Sequence, residues 1–214
     1  MKKTPCLLLT LCFLAVGYAN AQAQNPTDGV ILANWAKITQ KLHADTILSA
    51  NFEMESSDRF STNERISGTL FLWNDGYRIE TDQSRMLVYN GVSTVIDATQ
   101  KQVIISSYVS EDDDFAPAKL LQDDWLAKYT RVVDNKNQSI SWVTEDPFEN
   151  FAEISVQLST SFPIELVALD QLQNKVVLYL SKQQWLPAKQ AKNQALFSLE
   201  TPNDFELIDL RDEQ

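Results

Sequence analysis

The stretch GTLFLWNDGYRIETDQSRMLVYNGVSTVID, from Gly68 to Asp97, determines the fold that this sequence predicts. Runs of apolar, aromatic and β-branched residues alternate in it with short polar turns at 74–76, 82–84 and 90–91. Asn90-Gly91 between two apolar runs is a strong hairpin signal, because both central residues of a type I′ turn take a positive φ. The stretch therefore predicts an antiparallel meander.

Further strands are predicted on both sides of this stretch. Residues alternate with period two from Thr46 to Met54, and apolar runs bounded by turn residues follow along most of the chain. The other predicted strands are 66–73, 77–81, 85–89, 92–97, 102–108, 129–134, 139–143, 152–158, 164–169, 175–180 and 195–199, with 205–210 as a last edge. The first six of all these strands should form an up-and-down meander.

Two short helices are predicted beside the strands. After Pro26, residues Ile31, Trp35, Ile38 and Leu42 recur on one stripe of a helix. A second helix is expected over 116–126. We therefore predict a mainly β (α+β) fold, a curved, incomplete antiparallel β-barrel of about eleven strands, in which the helices form a lid over the concave apolar face of the sheet.

The N-terminus has the pattern of a secretory signal peptide. Lys2 and Lys3 precede an apolar run over 7–16, and small residues at 19 and 21 fit a cleavage site after Ala21, with Ala23 as the alternative. We expect residues 1–21 to be removed and 22–214 to form a single domain. This predicts export from the cytoplasm.

Charge and cysteine usage exclude several functions. Both cysteines, Cys6 and Cys12, lie in the signal segment, so the mature chain would have no disulfide or thiol chemistry. The whole chain has 18 basic and 29 acidic residues. Removal of Lys2 and Lys3 leaves 16 basic residues, so the mature chain has a formal charge of 16 − 29 = −13. An acidic protein of this kind is a poor candidate for nucleic-acid binding, which depends on phosphate neutralisation.

Residues for catalysis are scarce. The single histidine, His43, is expected to be exposed at a helix end, and a zinc site would need further His or Cys ligands. The isolated glycines cannot form a phosphate-binding loop. The acidic run Glu111–Asp114 is expected to be a solvated loop rather than a calcium site. We therefore predict no catalytic residue, no metal and no cofactor, although a secreted enzyme with a carboxylate pair stays an alternative.

Apolar and aromatic side chains stand out instead. Several of those on the predicted strands can share the concave face of the sheet, either as a filled core or as the wall of a cavity for acyl chains. These candidate cavity residues are Phe52, Met54, Leu70, Leu72, Tyr77, Ile79, Leu87, Tyr89 and Ile104.

Seven motifs in this order resemble the periplasmic outer-membrane lipoprotein carrier family, LolA. They are Phe52 at the end of a strand after an amphipathic helix, Gly68-Thr69-Leu70, Tyr77-Arg78-Ile79, Leu87–Gly91 with Val95-Ile96-Asp97, Pro117–Leu121, Ile164–Asp170 with Lys175–Tyr179, and Phe197–Pro202 with Leu207-Ile208-Asp209. The resemblance covers nearly the whole mature chain. One departure is that the family usually has Arg-Pro after the second strand, where this chain has Trp73-Asn74-Asp75. Asn74 can still hydrogen-bond the lid, as a weaker latch.

The resemblance implies a carrier that binds the acyl chains of lipoproteins and moves them from the inner to the outer membrane. It implies as partners acylated lipoproteins, an inner-membrane lipoprotein-releasing transporter and an outer-membrane acceptor, and we expect a monomer. It also assigns a set of residues to the lid, namely Trp35, Ile38, Leu120, Leu121 and Trp125. The alternative is a lipid- or lipoprotein-sensing regulatory module that binds without transport.

Overall fold

The computed structural model describes residues 26–57, 64–109, 126–189 and 195–211. The predicted signal peptide, the acidic run Glu111–Asp114 and all of the predicted second helix except Leu126 lie outside these ranges. The described elements are helix α1 (Pro26–His43) and strands β1 (Thr46–Ser57), β2 (Glu64–Trp73), β3 (Gly76–Thr81), β4 (Ser84–Tyr89), β5 (Val92–Asp97), β6 (Gln102–Ser107), β7 (Thr130–Asp134), β8 (Ser139–Val143), β9 (Phe151–Leu158), β10 (Pro163–Asp170), β11 (Lys175–Pro187) and β12 (Glu206–Asp209).

All twelve strands belong to one open, curved sheet. Its order is β12-β6-β5-β4-β3-β2-β1-β11-β10-β9-β8-β7, so two meanders, β1–β6 and β7–β11, join where β1 pairs with β11. Every pairing is antiparallel except that of β12 with β6. The predicted mainly β fold with an incomplete barrel and a helix on its concave face is confirmed.

The Asn90-Gly91 turn has the predicted backbone. The φ angles of Asn90 and Gly91 are 52° and 71°, and Tyr89 pairs with Val92 on either side of this two-residue connection. Both residues therefore occupy the left-handed region that a type I′ turn requires, at little cost for asparagine and glycine.

Two strand predictions at the C-terminal end were wrong. Residues 195–199 form a turn with Ala195 at a φ of 53°, and their apolar side chains pack onto the sheet instead of pairing with it. Strand β11 continues to Pro187 instead of ending at Leu180, because its second half pairs with the start of β1.

Helix α1 buries the predicted stripe. Ile31, Trp35, Ile38 and Leu42 all lie in the main core, and the rings of Trp35 and Trp142 are 5.1 Å apart between centroids. The helix packs against β1, β2, β7, β8 and β9, that is, across the join between the two meanders. Removing four large side chains of this kind from water is worth roughly 1.5–3 kcal/mol each, which holds the helix on the sheet. In the part of the chain that the structure describes, no helix has the length and apolarity needed to cross a membrane.

A second, smaller core lies on the convex face of the sheet. We call it the convex cluster, and its members are Ile47, Phe71, Trp73, Leu87, Tyr89, Leu186, Leu196, Phe197 and Leu199. The turn at 195–199 covers strands β2 to β4 here, and the ring of Phe197 lies 5.1 Å from that of Trp73 and 4.9 Å from that of Tyr89. Both faces of this part of the sheet are therefore buried.

Candidate ligand-binding cavity

A cavity of about 840 Å³ lies on the concave face, beside the area that α1 covers. Strands β1 to β6 supply most of its wall, β11 adds Leu178, and no residue of α1 lines it. The lining residues are Phe52, Met54, Arg65, Ile66, Ser67, Leu70, Tyr77, Ile79, Thr81, Asp82, Gln83, Ser84, Met86, Ser93, Ser106, Ser107, Tyr108, Val109 and Leu178. A volume of this size lies within the range of small-molecule sites, roughly 300–1,000 Å³.

The strand register explains why apolar side chains meet in this wall. Leu70 pairs with Ile79, and Ile79 pairs with Met86, so the three side chains stand side by side on one face. Phe52 and Met54 join them from β1 because side chains two apart along a strand point to the same face. Glu53 between them points to the convex face.

Five of the nine candidate cavity residues line the cavity. They are Phe52, Met54, Leu70, Tyr77 and Ile79. Leu72 is also on the concave face but is fully buried in the core with α1, so the helix fills the space above it. Ile104 stands on the concave face in register with Val95, outside the cavity wall.

For Leu87 and Tyr89 the expected concave position was wrong. Both belong to the convex cluster, with Trp73 and Phe197. Val88, between them, is the residue that points to the concave face, where it is fully buried in the main core. The run Leu87-Val88-Tyr89 is apolar on both faces, so its pattern does not indicate which residues face inward.

The structure describes only two of the five residues that were assigned to the lid. Trp35 and Ile38 are buried between α1 and the sheet and do not line the cavity. Leu120, Leu121 and Trp125 lie outside the described residues.

Sequence reasoning missed several residues of the wall. The sequence could have indicated Met86 and Leu178, because each lies at an apolar position of a predicted strand whose side chains alternate with period two. The hydroxyl residues Ser93, Ser106 and Ser107 carried no such signal, because serine on a strand usually faces solvent. Only the register of β4, β5 and β6 places Ser93 and Ser106 on the concave side, whereas Ser107 pairs with Val92, whose other partner is the convex Tyr89.

The charged groups of the wall lie at its rim. Arg65 is exposed and forms ion pairs with Glu53, at 2.8 Å, and with Glu55. The hydrogen bond to Glu55, followed by the charges of Glu53 and Glu55, raises the pKa of Arg65 above its usual value. This cation is therefore already neutralised by the protein.

The cavity reaches the surface at two apolar positions. Ile66 is 41% exposed and Val109 is 44% exposed, and both belong to the wall. An apolar ligand can thus enter from solvent without separation of the paired strands. Within the described ranges, no group of three or more His, Cys, Asp or Glu side chains is arranged to hold a metal ion.

His43 lies away from this wall. It is exposed at the end of α1, as expected, and its Nδ1 is 2.7 Å from Oδ1 of Asn74. The chemistry that the cavity itself offers is apolar contact together with a few neutral hydroxyl groups.

Comparison with known proteins finds similarity in structure alone. No family model and no curated protein matches the sequence. An uncharacterized conserved protein from Thermus thermophilus has a TM-score of 0.49 and 11% identity, covering 83% of this chain and 98% of its own.

Two further solved structures carry names related to the family that the motifs resemble. A LolA superfamily protein from Nitrosomonas europaea has a TM-score of 0.39 and 10% identity, covering 72% of this chain and 93% of its own. A putative outer membrane lipoprotein-sorting protein domain from Vibrio parahaemolyticus has a TM-score of 0.41 and 13% identity, covering 80% of this chain and 99% of its own. Solved structures similar to this chain thus include LolA-like proteins.

Proposed function

We propose that this protein is a periplasmic carrier that binds the acyl chains of lipoproteins in the concave cavity and moves them from the inner to the outer membrane. The observation that supports this most directly is the cavity of about 840 Å³, whose wall includes Phe52, Met54, Leu70, Ile79 and Met86. The proposal includes export with removal of residues 1–21, a monomeric state and binding without catalysis.

The wall matches the physical requirement for holding an acyl chain. Each methylene group removed from water contributes about 0.8 kcal/mol, so a cavity for an acyl chain needs an extended apolar surface. The cavity runs across six strands and ends at the exposed side chains of Ile66 and Val109. The acylated end of a cargo would enter there while its protein part stays in solvent.

A carrier also has to release what it binds. The wall belongs to an open sheet, and its apolar rim already meets solvent at Ile66 and Val109. Release then requires no loss of backbone hydrogen bonds between strands, which keeps the barrier low. An inner-membrane lipoprotein-releasing transporter and an outer-membrane acceptor are the partners that this function needs, and basic docking surfaces on them would complement the acidic chain.

Native mass spectrometry of the mature protein purified from a Gram-negative periplasm tests the proposal first. We expect a bound acylated peptide or lipoprotein, and a strong loss of this species in Ile79→Glu, which places a carboxylate in the wall. Met86→Trp should also reduce binding, by filling the cavity without adding charge. Val132→Glu is the matched control, because Val132 is a half-exposed strand residue outside the cavity.

Transfer experiments separate a carrier from a sensing module. A carrier loaded with a fluorescently labelled lipoprotein should pass it to the outer-membrane acceptor within one incubation. Tight retention of the cargo in the presence of both partners would support a lipid- or lipoprotein-sensing module instead. A clean unliganded mass, together with no uptake of a fluorescent acyl probe, would contradict any acyl-binding function.

A further inference from the structure

Neutral hydroxyl groups form one corner of the wall, at the opposite end from the polar turn at 81–84. Ser93 is only 8% exposed and lines the cavity, and it pairs across β5 and β6 with Ser106, which lines the cavity as well. Cross-strand partners of this kind have Cβ atoms about 5 Å apart, so the two hydroxyl groups lie next to each other on the concave face.

These two hydroxyl groups have no side-chain hydrogen bond among the residues that the structure describes. The contrast with the other end of the cavity is clear. There Thr81 and Ser84 are joined by their hydroxyl oxygens at 3.2 Å, and the backbone N–H of Ser84 donates to Oγ1 of Thr81 at 3.0 Å. Their hydrogen-bonding groups are satisfied within the turn, whereas those of Ser93 and Ser106 face the cavity.

Ser93 is buried and Ser106 is half-buried, and an apolar side chain at either position would offer a hydrocarbon chain more apolar contact than a hydroxyl group does. Two adjacent O–H donors suit a ligand atom that accepts two hydrogen bonds. A carbonyl oxygen has two lone pairs and meets this description.

The charges nearby exclude an anionic group as the preferred ligand at this corner. The only basic residue of the described wall, Arg65, is already paired with Glu53 and Glu55 at the rim. A carboxylate or phosphate next to Ser93 would therefore be buried without a counter-charge, at a cost that two hydroxyl groups do not offset. The ligand group should be neutral.

We propose that Ser93 and Ser106 form a polar subsite that donates hydrogen bonds to the carbonyl oxygen of an acyl ester or acyl amide. This rests on the proposed acyl-binding function and adds to it the chemical class of the bound molecule. The apolar wall takes the chain, and the subsite fixes the position of the first carbonyl group along it.

The test compares ligands that differ only in this carbonyl. Binding of diphenylhexatriene, a fluorescent hydrocarbon, reports occupation of the cavity, and displacement measures the affinity of each competitor. Monopalmitoylglycerol carries an ester carbonyl, palmitoyl ethanolamide an amide carbonyl, and the hexadecyl glycerol ether has neither. Palmitate tests the exclusion of a charged group.

In the wild-type protein we expect the ester, the amide or both to bind about 2- to 10-fold more tightly than the ether for each hydrogen bond made. Whichever of the two binds more tightly identifies the source of the carbonyl. In Ser93→Ala, Ser106→Ala and the double variant this preference should disappear, while diphenylhexatriene binds equally well or better. Ser155→Ala is the matched control, because Ser155 lies mid-strand between the buried Ile154 and Val156 and so faces the other side of the sheet.

Equal affinity of ester, amide and ether in the wild-type protein would overturn the subsite and leave the acyl cavity in place. A carbonyl preference that survives in the double variant would also overturn it. Failure of diphenylhexatriene itself to bind would overturn the proposed function, and the subsite with it.

Discussion

His43 and Asn74 connect the end of helix α1 to the turn between β2 and β3. Nδ1 of His43 donates to Oδ1 of Asn74 at 2.7 Å, across 31 residues of sequence. Asn74 stands where the LolA family, which the motifs resemble, usually has the arginine of its Arg-Pro pair, and the resemblance leaves it able to hydrogen-bond the lid as a weaker latch. The contact is exposed on both sides, so it orients the helix end more than it stabilises the fold.

A double-mutant cycle measures this contact. We expect Asn74→Ala and His43→Ala each to lower the free energy of unfolding by about 0.5 kcal/mol, with a coupling of similar size, as is typical of an exposed hydrogen bond. Urea unfolding of the two single variants and the double variant gives the coupling. Strict additivity of the two effects would mean that the contact contributes nothing to stability.

Gly68 should not tolerate a side chain. A Cβ at this position would lie 1.9 Å from the backbone oxygen of Glu80 and 3.0 Å from the ring of Phe52. Because a backbone atom cannot move away cheaply inside a paired sheet, Gly68→Ala should destabilise the protein by about 3 kcal/mol or more.

Gly29→Ala is the matched control for this substitution. A Cβ there has no neighbour within 4 Å, and alanine favours the helix, so we expect unchanged stability or a gain of up to about 1 kcal/mol. Thermal unfolding of both variants decides the question, and equal effects of the two substitutions would contradict the steric argument.

Arg78 should hold the turn that covers the convex cluster. Its Nη1 donates to the backbone oxygens of Ala195, Leu196 and Ser198 at 3.0–3.3 Å, while Glu80 pairs with its Nε and Nη2. The guanidinium is largely buried, so Arg78→Ala leaves several carbonyl groups without a donor and should cost about 2–3 kcal/mol.

Two measurements report the release of this turn. They are limited proteolysis between residues 189 and 199 and the fluorescence of Trp73. Arg78→Lys should restore only part of the stability, since an ammonium cannot span three carbonyls and a carboxylate with fixed geometry. Arg131→Ala, an exposed arginine on edge strand β7, is the control. Full rescue by lysine would show that charge alone matters here.

The turn between β5 and β6 should make stability depend on pH. Hydrogen bonds from the Thr99 hydroxyl and from the backbone N–H groups of Gln100 and Thr99 lower the pKa of Asp97 below 3.8. Because the folded state lowers this pKa, the ionised carboxylate stabilises the fold above about pH 4, and the contribution is lost as pH falls through the folded pKa.

Asp97→Asn removes the titration and keeps an oxygen acceptor. We expect the urea midpoint, measured from about pH 2 to pH 7, to fall less steeply below about pH 4 in this variant than in the wild type. Thr99→Val removes the hydrogen bond that lowers the pKa of Asp97 most. The fall of the urea midpoint at low pH should therefore also become less steep in this variant, although Asp97 is retained. If the urea midpoint falls as steeply at low pH in both variants as in the wild type, other carboxylates cause the acid sensitivity.

Local structure follows from the sequence alone. The turns at Asn74-Asp75, Asp82-Gln83 and Asn90-Gly91 and the stripe of α1 depend on residues within a few positions of one another, where backbone sterics and side-chain periodicity set the outcome. The pairing of the four strands β2 to β5 follows directly from these turns, because two strands joined by a tight turn pair with each other.

Long-range packing determines where the two meanders join and which face each residue of a wholly apolar strand takes. The pairing of β1 with β11 links residues more than a hundred positions apart, and no local pattern specifies it. Leu87 and Tyr89 face the convex side because the turn at 195–199, held by Arg78, covers them there. The same register turned Ser93 and Ser106 toward the cavity, because the position of a strand in a sheet depends on all of its neighbours at once.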